Sequence, residues 1–256
     1  MRRRTFAQTL LASAAFAQGS PPIRIRALNH ATLTVSNVQR SVDFYQRLFG
    51  LPVQARQGPT VLLRIGSGPQ FLALHPGAKP AVGHFCLTTD RFDVEQLRRL
   101  LAANKVRVRM RPADLGGAPE GTAEFYFADP DGLSIQLQHS SYCGGAGRLG
   151  ELCPPQVEQA PGKGLLTLER FDHFLLHVSD EERSRGFYRS LFGEVAGIVF
   201  ARNAQPSIAH VCFATPHFDA DRALSALTEM RVRENIRING AGVTFPDPDG
   251  IRIRLV

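Results

Sequence analysis

Residues 127–138 read FADPDGLSIQLQ, and residues 245–255 read FPDPDGIRIRL. Asp-Pro-Asp-Gly is a tight-turn sequence, in which proline and glycine supply the backbone angles that the turn needs. The residues after it alternate apolar with polar, the period of a half-buried strand. The pair belongs to a longer repeat. LNHATLTV at residues 28–35 is matched by FDHFLLHV at 171–178, and GHFCLTTD at 83–90 by AHVCFATP at 209–216. Between the first and second blocks of each copy lies an amphipathic helical pattern that stops at glycine. It runs from Asn37 through Tyr45 to Leu48-Phe49-Gly50, and again from Arg183 through Tyr188 to Leu191-Phe192-Gly193. The chain is a duplicated domain.

Within the first copy a βαβββ unit appears twice. His30–Val35 reads as a strand, Val38–Phe49 as a helix, and Val61–Ile65 and Phe71–Leu74 as strands. His84–Thr88 is the next strand and Asp93–Ala103 the next helix, with Glu124–Phe127 and Leu133–Gln138 as closing strands. The second copy is shorter: His30 and His84 are 54 residues apart, but their counterparts His173 and His210 only 37. That leaves room for one strand, around Gly197–Ala201, before His210, and predicts an incomplete sheet. The third corresponding position is Gln136 in one copy and Arg254 in the other.

The first residues stand apart from this pattern. Arg2, Arg3 and Arg4 precede a short apolar stretch, Thr9–Ala17, ending in Ala15-Phe16-Ala17. A basic head, a brief apolar run and a small-x-small site read as a cleaved export signal, too short to span a bilayer. Arg3-Arg4-Thr5-Phe6 resembles a twin-arginine motif; an ordinary secretory signal is the alternative. The chain therefore divides into an export signal (1–17), a first domain (27–140), a linker rich in glycine, proline and cysteine (141–167) and a second domain (168–256). The expected location is periplasmic or secreted, with no membrane association once the signal is removed.

The formal net charge is +7, but no aromatic-studded basic stripe accompanies it, which argues against nucleic acid and for a small-molecule partner, with a mild preference for anionic ones. Cys86 and Cys212 each lie two residues after a block histidine and read mainly as small buried hydrophobes. Cys143 and Cys153 flank a glycine-rich loop and form a plausible disulfide in an oxidising compartment.

The ordered set of strand histidine, helix ending in Phe-Tyr-x-x-Leu-Phe-Gly, Gly-His strand and Asp-Pro-Asp-Gly strand resembles the vicinal oxygen chelate superfamily. That family includes glyoxalases, extradiol dioxygenases and the fosfomycin- and bleomycin-resistance proteins. The resemblance runs from about Leu28 to Val256. It implies an α+β fold of tandem βαβββ modules with cupped mixed sheets, the second copy shortened. It also implies one divalent metal ion, Fe, Mn, Zn or Ni, held by His30, His84 and the residue at the family's glutamate position, here Gln136. An amide oxygen is a poorer donor than a carboxylate and leaves the ion's charge unbalanced, which favours an anionic chelating substrate.

Tyr126 falls where the extradiol enzymes place a catalytic tyrosine. Their acid–base histidine, however, has no counterpart at Gly117, Ala118 and Pro119. The glyoxalase pattern wants an acidic ligand on the fourth strand. That strand reads Gln70-Phe71-Leu72-Ala73-Leu74, with His75 just beyond it.

In the second copy Arg254 cannot ligate a metal. With His173, His177 and His210 it either binds an anionic ligand, or the second copy is a structural partner of the first that has drifted. The leading expectation is a metal-dependent enzyme acting on a small oxygen-chelating molecule through the first domain. The alternative is a non-catalytic sequestering protein of the bleomycin-resistance type without metal. A structural role in oligomerisation is a third class.

Overall fold

The computed structural model describes residues 20–111 and 124–256; the expected export segment, 1–17, and the 117–119 stretch lie outside them. The first copy is an eight-stranded mixed sheet made of two βαβββ modules. One comprises β1 (Ala27–Val35), α1 (Val38–Phe49), β2 (Val53–Gln57), β3 (Thr60–Arg64) and β4 (Phe71–Pro76). The other comprises β5 (Ala81–Thr89), α2 (Val94–Ala103), β6 (Val108–Arg111), β7 (Glu124–Ala128) and β8 (Ser134–His139). The strand order is β2-β3-β4-β1-β5-β8-β7-β6, so the modules meet along the antiparallel pair β1 and β5.

Two strands, β2 and β6, escape the sequence pattern because each is short and mixes polar residues into a four- or five-residue run. Strand β4 also runs further than expected. It includes His75, whose Nδ1 lies 2.8 Å from Thr60 Oγ1 on β3, so this histidine belongs to the sheet and not to a loop.

The second copy contains β9 (Arg170–Val178), α3 (Glu181–Phe192), β10 (Ile198–Arg202), β11 (Ser207–Ala214), α4 (Ala220–Glu229), β12 (Arg237–Asn239), β13 (Gly242–Pro246) and β14 (Arg252–Leu255). Its six strands run β10-β9-β11-β14-β13-β12. Strand β10 pairs parallel with β9 as β4 does with β1. The missing strands are therefore the counterparts of β2 and β3, and the sheet is incomplete in the expected way. Among the described residues no helix is long and apolar enough to cross a membrane.

Each helix begins where a short polar side chain caps it. Asn37, Asp93, Asp180 and Asp219 accept from the backbone N–H three residues on, satisfying a donor that the helix itself cannot. Helix α1 ends at Gly50 with φ 67°, a left-handed conformation that favours glycine. A Cβ there would also lie 2.6 Å from the Gly164 nitrogen.

One continuous apolar core joins the two sheets. Aromatic pairs cross between the copies: Phe85 with Phe174 at 5.0 Å between ring centroids, Phe127 with Phe192 at 6.0 Å, and Phe49 with Phe213 at 6.4 Å. Each such ring contributes roughly 2–3 kcal/mol by leaving water.

The Asp-Pro-Asp-Gly turns do more than reverse the chain. Asp131 of the first copy accepts from the Ser179 backbone N–H (3.1 Å), the Ser179 hydroxyl (2.5 Å) and the Arg183 guanidinium (2.6 Å) of the second. Asp249 of the second copy takes the same three bonds from Ser36 and Arg40 of the first, at 3.1, 2.5 and 2.6 Å. The other aspartate of each turn accepts across the same boundary: Tyr188 donates to Asp129, and Tyr45 to Asp247. Each copy thus holds the turn of the other at the start of its first helix.

Burial alone would raise the Asp131 and Asp249 carboxyls. Hydrogen bonds from the serines, with the arginines, outweigh it and hold both below the ordinary value of 3.8. Asp129 and Asp247 go the other way, because burial dominates their backbone and tyrosine bonds.

Segment 141–167, expected as a linker, lies strapped on the first domain. Cys143 and Cys153 form the disulfide, Val53 bridges to Glu158, and the Leu166 nitrogen donates to the Leu48 carbonyl at 2.9 Å. Arg56 grips Glu158 with two parallel bonds of 2.9 and 2.8 Å. Closing a loop of this length by a disulfide stabilises by about 2–3 kcal/mol on the chain-entropy account. Urea unfolding of Cys153→Ser should show a loss of that size, with the slope on denaturant largely unchanged.

Asp131→Asn should cost about 2 kcal/mol at neutral pH, the scale of hydrogen bonds to a buried charge. A depressed carboxyl stabilises above its unfolded value and loses that contribution as pH falls through its folded value. The gap between wild type and Asp131→Asn should therefore close in acid, which urea midpoints at neutral pH and below pH 3.8 would show.

Candidate metal centre and its counterpart

Strand β1 carries His30 on the inner face of the first sheet, in register with Phe71 of β4 and Cys86 of β5. Leu28 pairs with Leu87 and His30 with Cys86, which leaves Asn29 as an extra residue in a β-bulge. A bulge re-aims a side chain that a regular strand would send to the opposite face. The Asn29 amide is pinned because its Nδ2 donates to the Tyr142 carbonyl at 3.0 Å. Its Oδ1 then faces His30 Nδ1 at 2.8 Å and accepts the ring proton. The other ring nitrogen, Nε2, is left with its lone pair.

That lone pair points at two further donors. His30 Nε2 lies 3.3 Å from His84 Nε2 and 2.8 Å from Gln136 Oε1, and the latter two are 3.1 Å apart. His30 Nε2 and Gln136 Oε1 are both acceptors, at hydrogen-bond distance with no proton to share. A cation would satisfy them, as would a proton on Nε2 of His84. With metal–ligand bonds of ~2.1 Å, cis ligands of an octahedral ion stand about 3 Å apart, the spacing found here.

His30 is 2% exposed and Gln136 1%. Burial, reinforced by His84, lowers the His30 pKa well below its usual 6.5, against the Gln136 amide oxygen, which would accept from a protonated ring. The ring is therefore neutral, the form that ligates. Residues of both types expected from the sequence meet at one point.

The wall around them is aromatic. Phe71 stacks on His30 with centroids 4.3 Å apart, and Tyr142 from the strap lies 5.6 Å away. Phe71 and Ala73 occupy the inward places on β4, where neither can ligate. Tyr126 packs its ring edge against His84 at 5.2 Å and donates its hydroxyl to Glu124 Oε2 at 3.3 Å. The Arg109 guanidinium sits 5.5 Å above the same ring. Thr32 Oγ1 lies 3.1 Å from His84 Nε2. Cys86 is fully buried, and burial with Glu124 pushes its thiol pKa well up, so it serves as packing.

The second cup repeats the device with different ends. Asp172 is the extra residue of a bulge between Phe171 and His173, and its Oδ2 accepts the His173 Nδ1 proton at 2.7 Å. His173 Nε2 is bonded to His210 Nε2 at 3.0 Å. Arg254 holds the register place of Gln136, each opposite the cysteine of the neighbouring strand. Its guanidinium turns to the Asn239 carbonyl (3.0 Å) and Thr244 Oγ1 (3.2 Å). His177 lies further along the same face of β9, near Asn203 Nδ2 at 3.2 Å.

Asp172, His173 and Cys212 bring ligand atoms within 4.8 Å of one another. Burial, then Asp172, pushes the Cys212 thiol up to about 12, and the Asp172 carboxylate already serves His173.

Asn29, Asp172, Phe71 and Tyr142 are the site residues that sequence reading did not find. For the first two a signal existed: in both copies an asparagine or aspartate immediately precedes the strand histidine. Phe71 and Tyr142 come from elements whose approach to His30 no local pattern encodes.

Comparison with known proteins places these observations. The family model "Glyoxalase/Bleomycin resistance protein/Dioxygenase superfamily" matches residues 27–137. The glutathione transferase FosA of Serratia marcescens is 31% identical over 123 residues, 46% of this chain and 83% of that protein. The metallothiol transferase FosB of Staphylococcus haemolyticus is 26% identical over 125 residues, 46% of this chain and 86% of its own.

Solved structures extend the likeness over both copies. The 2,3-dioxygenase LapB from Pseudomonas sp. KL28 superposes with a TM-score of 0.72 at 18% identity, covering 91% of this chain and 92% of that one. Homoprotocatechuate 2,3-dioxygenase from Brevibacterium fuscum gives 0.73 at 18%, covering 92% and 81%. At that identity the structures speak for the fold alone. With 31% identity to FosA over 83% of that protein, the chain belongs to the glyoxalase/bleomycin resistance protein/dioxygenase superfamily.

Proposed function

We propose that the first domain is a divalent-metal-dependent enzyme acting on a small molecule that presents two neighbouring oxygens. The observation that carries this is the convergence of His30 Nε2, His84 Nε2 and Gln136 Oε1, with the His30 tautomer fixed by Asn29. Fe, Mn, Zn or Ni would be held by those three residues, and would supply Lewis acidity toward the chelated oxygens. Because the donor set is neutral, an anionic substrate is favoured.

The remaining roles belong to the chain itself. Phe71 and Tyr142 keep water from the buried side of His30. Tyr126 stands beside His84 with its hydroxyl proton given to Glu124, and would act as the acid by exchanging that bond for one to the substrate. The relatives named as transferases make addition of a thiol nucleophile the first reaction to assay, ahead of proton shift or ring opening.

The same proposal puts the mature protein outside the cytoplasm. Its basic, short apolar N-terminal stretch and the Cys143–Cys153 disulfide support that location.

A second reading, sequestration of a small molecule without metal or turnover, rests on Gln136 Nε2, which is buried and has no hydrogen-bond partner among the described residues. An amide turned over would donate that N–H to the imidazoles and remove the need for a cation. Metal content separates the two. Protein purified without chelator should hold about one divalent ion per chain by elemental analysis, and His84→Ala should lose it. No ion in wild type, even after adding metals back, would leave the sequestering reading.

Asn29→Leu removes the acceptor that orients His30 and leaves all three ligands in place. It should weaken metal binding by about 10–100-fold, the effect of losing a partner behind a ligating histidine, in a chelator-competition titration.

A further inference from the structure

We propose that the second cup is a binding site for a small doubly charged oxyanion, of the phosphate or phosphonate class, held by Arg252 and Arg254. A cavity of about 790 Å³ opens there, lined by His177, His210, Arg237, Arg252 and Arg254, with Gly132–Ser134 of the first domain on its far side. Arg252 and Arg254 alternate along β14 and so share its inner face.

Arg254 is held in place from behind. Asn239, through its side chain and its carbonyl, and Thr244 bind its Nη atoms. Gly242 leaves room for it, since a Cβ there would fall 2.4 Å from Nη2. A guanidinium carries five N–H donors, and these bonds leave some of them for a ligand.

Arg252 makes the stronger case. Its Nη1 is buried and has no hydrogen-bond partner among the described residues. A buried charged donor without an acceptor is costly, and a ligand oxygen would supply one.

The surrounding charge is one-sided. Asp249 borders the cavity, but its oxygens are taken by Ser36 and Arg40. Asp172 is committed to His173. Among the described residues Arg237, Arg252 and Arg254 form no ion pair. Two inward guanidiniums call for two negative charges, and their forked donors match a head with several oxygens better than a single carboxylate. His177 and His210 add polar ring atoms to the wall. Two cups on one chain would then carry opposite preferences, the first for a cation and the second for an anion.

Calorimetric titration of the full chain with inorganic phosphate, after chelator treatment and with chloride fixing the ionic strength, tests this. It does not depend on the metal reading, because no metal is present. One phosphate per chain is expected, with binding about tenfold or more weaker in Arg252→Gln and in Arg254→Gln, and unchanged in His84→Ala. Absence of binding in wild type, equal binding in both arginine variants, or loss in His84→Ala would overturn the proposal. NMR of the histidine rings in wild type supplies a readout that survives misfolding of a variant. Phosphate should shift His177 and His210 and leave His30 and His84 in place; the reverse pattern would place the anion in the first cup.

Discussion

Each half of this molecule is completed by a carboxylate from the other half. Asp131 and Asp249 reach across the pseudo-symmetric boundary to a serine hydroxyl, a backbone N–H and an arginine at the start of the partner copy's first helix. Their neighbours Asp129 and Asp247 take tyrosine hydroxyls from the same helices. These bonds fix the angle at which the two sheets share one apolar core, and β8 and β14 start directly after the turns they hold. The third position of each cup, Gln136 or Arg254, therefore sits on a strand whose root is anchored in the opposite domain. Each turn finds some of its partners in its own half, through the first aspartate's bonds to the backbone, and the rest only in the other.

The two cups are built alike up to their last residue. In each, a bulge turns an asparagine or aspartate onto Nδ1 of a strand histidine, exposing Nε2 to the histidine of the adjacent strand. The character of the cup is then decided by one side chain on the closing strand. Gln136 adds an oxygen donor at 2.8 Å from His30. Arg254 instead brings a permanent positive charge, which with burial and His173 helps to hold the His210 pKa down at about 4. The second cup also lacks the counterparts of β2 and β3, so its wall differs from that of the first as well as its charge.

Much of this was legible in the sequence, for physical reasons. Duplicated strand histidines, helices closing at Gly50 and Gly193, and paired turns define the modules, because burial periodicity and turn chemistry are local properties. The shortened second sheet could be read from the spacing of its histidines alone. Strands β2 and β6 could not, since four or five residues of mixed polarity take their structure from the strands they pair with. Membership of His30, His84 and Gln136 in one site rested on resemblance, and sheet curvature brings them together as expected. Phe71 was invisible because its proximity to His30 depends on the register of β1 with β4, and Tyr142 because its proximity depends on how the strap crosses the sheet. The reciprocal role of Ser36, Arg40, Ser179 and Arg183 was equally hidden: in sequence they are ordinary residues at the start of a helix.

The strap has a bearing on the first cup. Its Tyr142 carbonyl orients Asn29, which in turn decides which nitrogen of His30 carries the proton. Tyr142 directly precedes Cys143, so the oxidation state of a cysteine pair is two hydrogen bonds from the lone pair that a metal would use. A chain folded under reducing conditions would present the three ligands without the covalent anchor behind one of them. Closing the disulfide therefore secures the strap that orients Asn29, and through Asn29 the ring of His30.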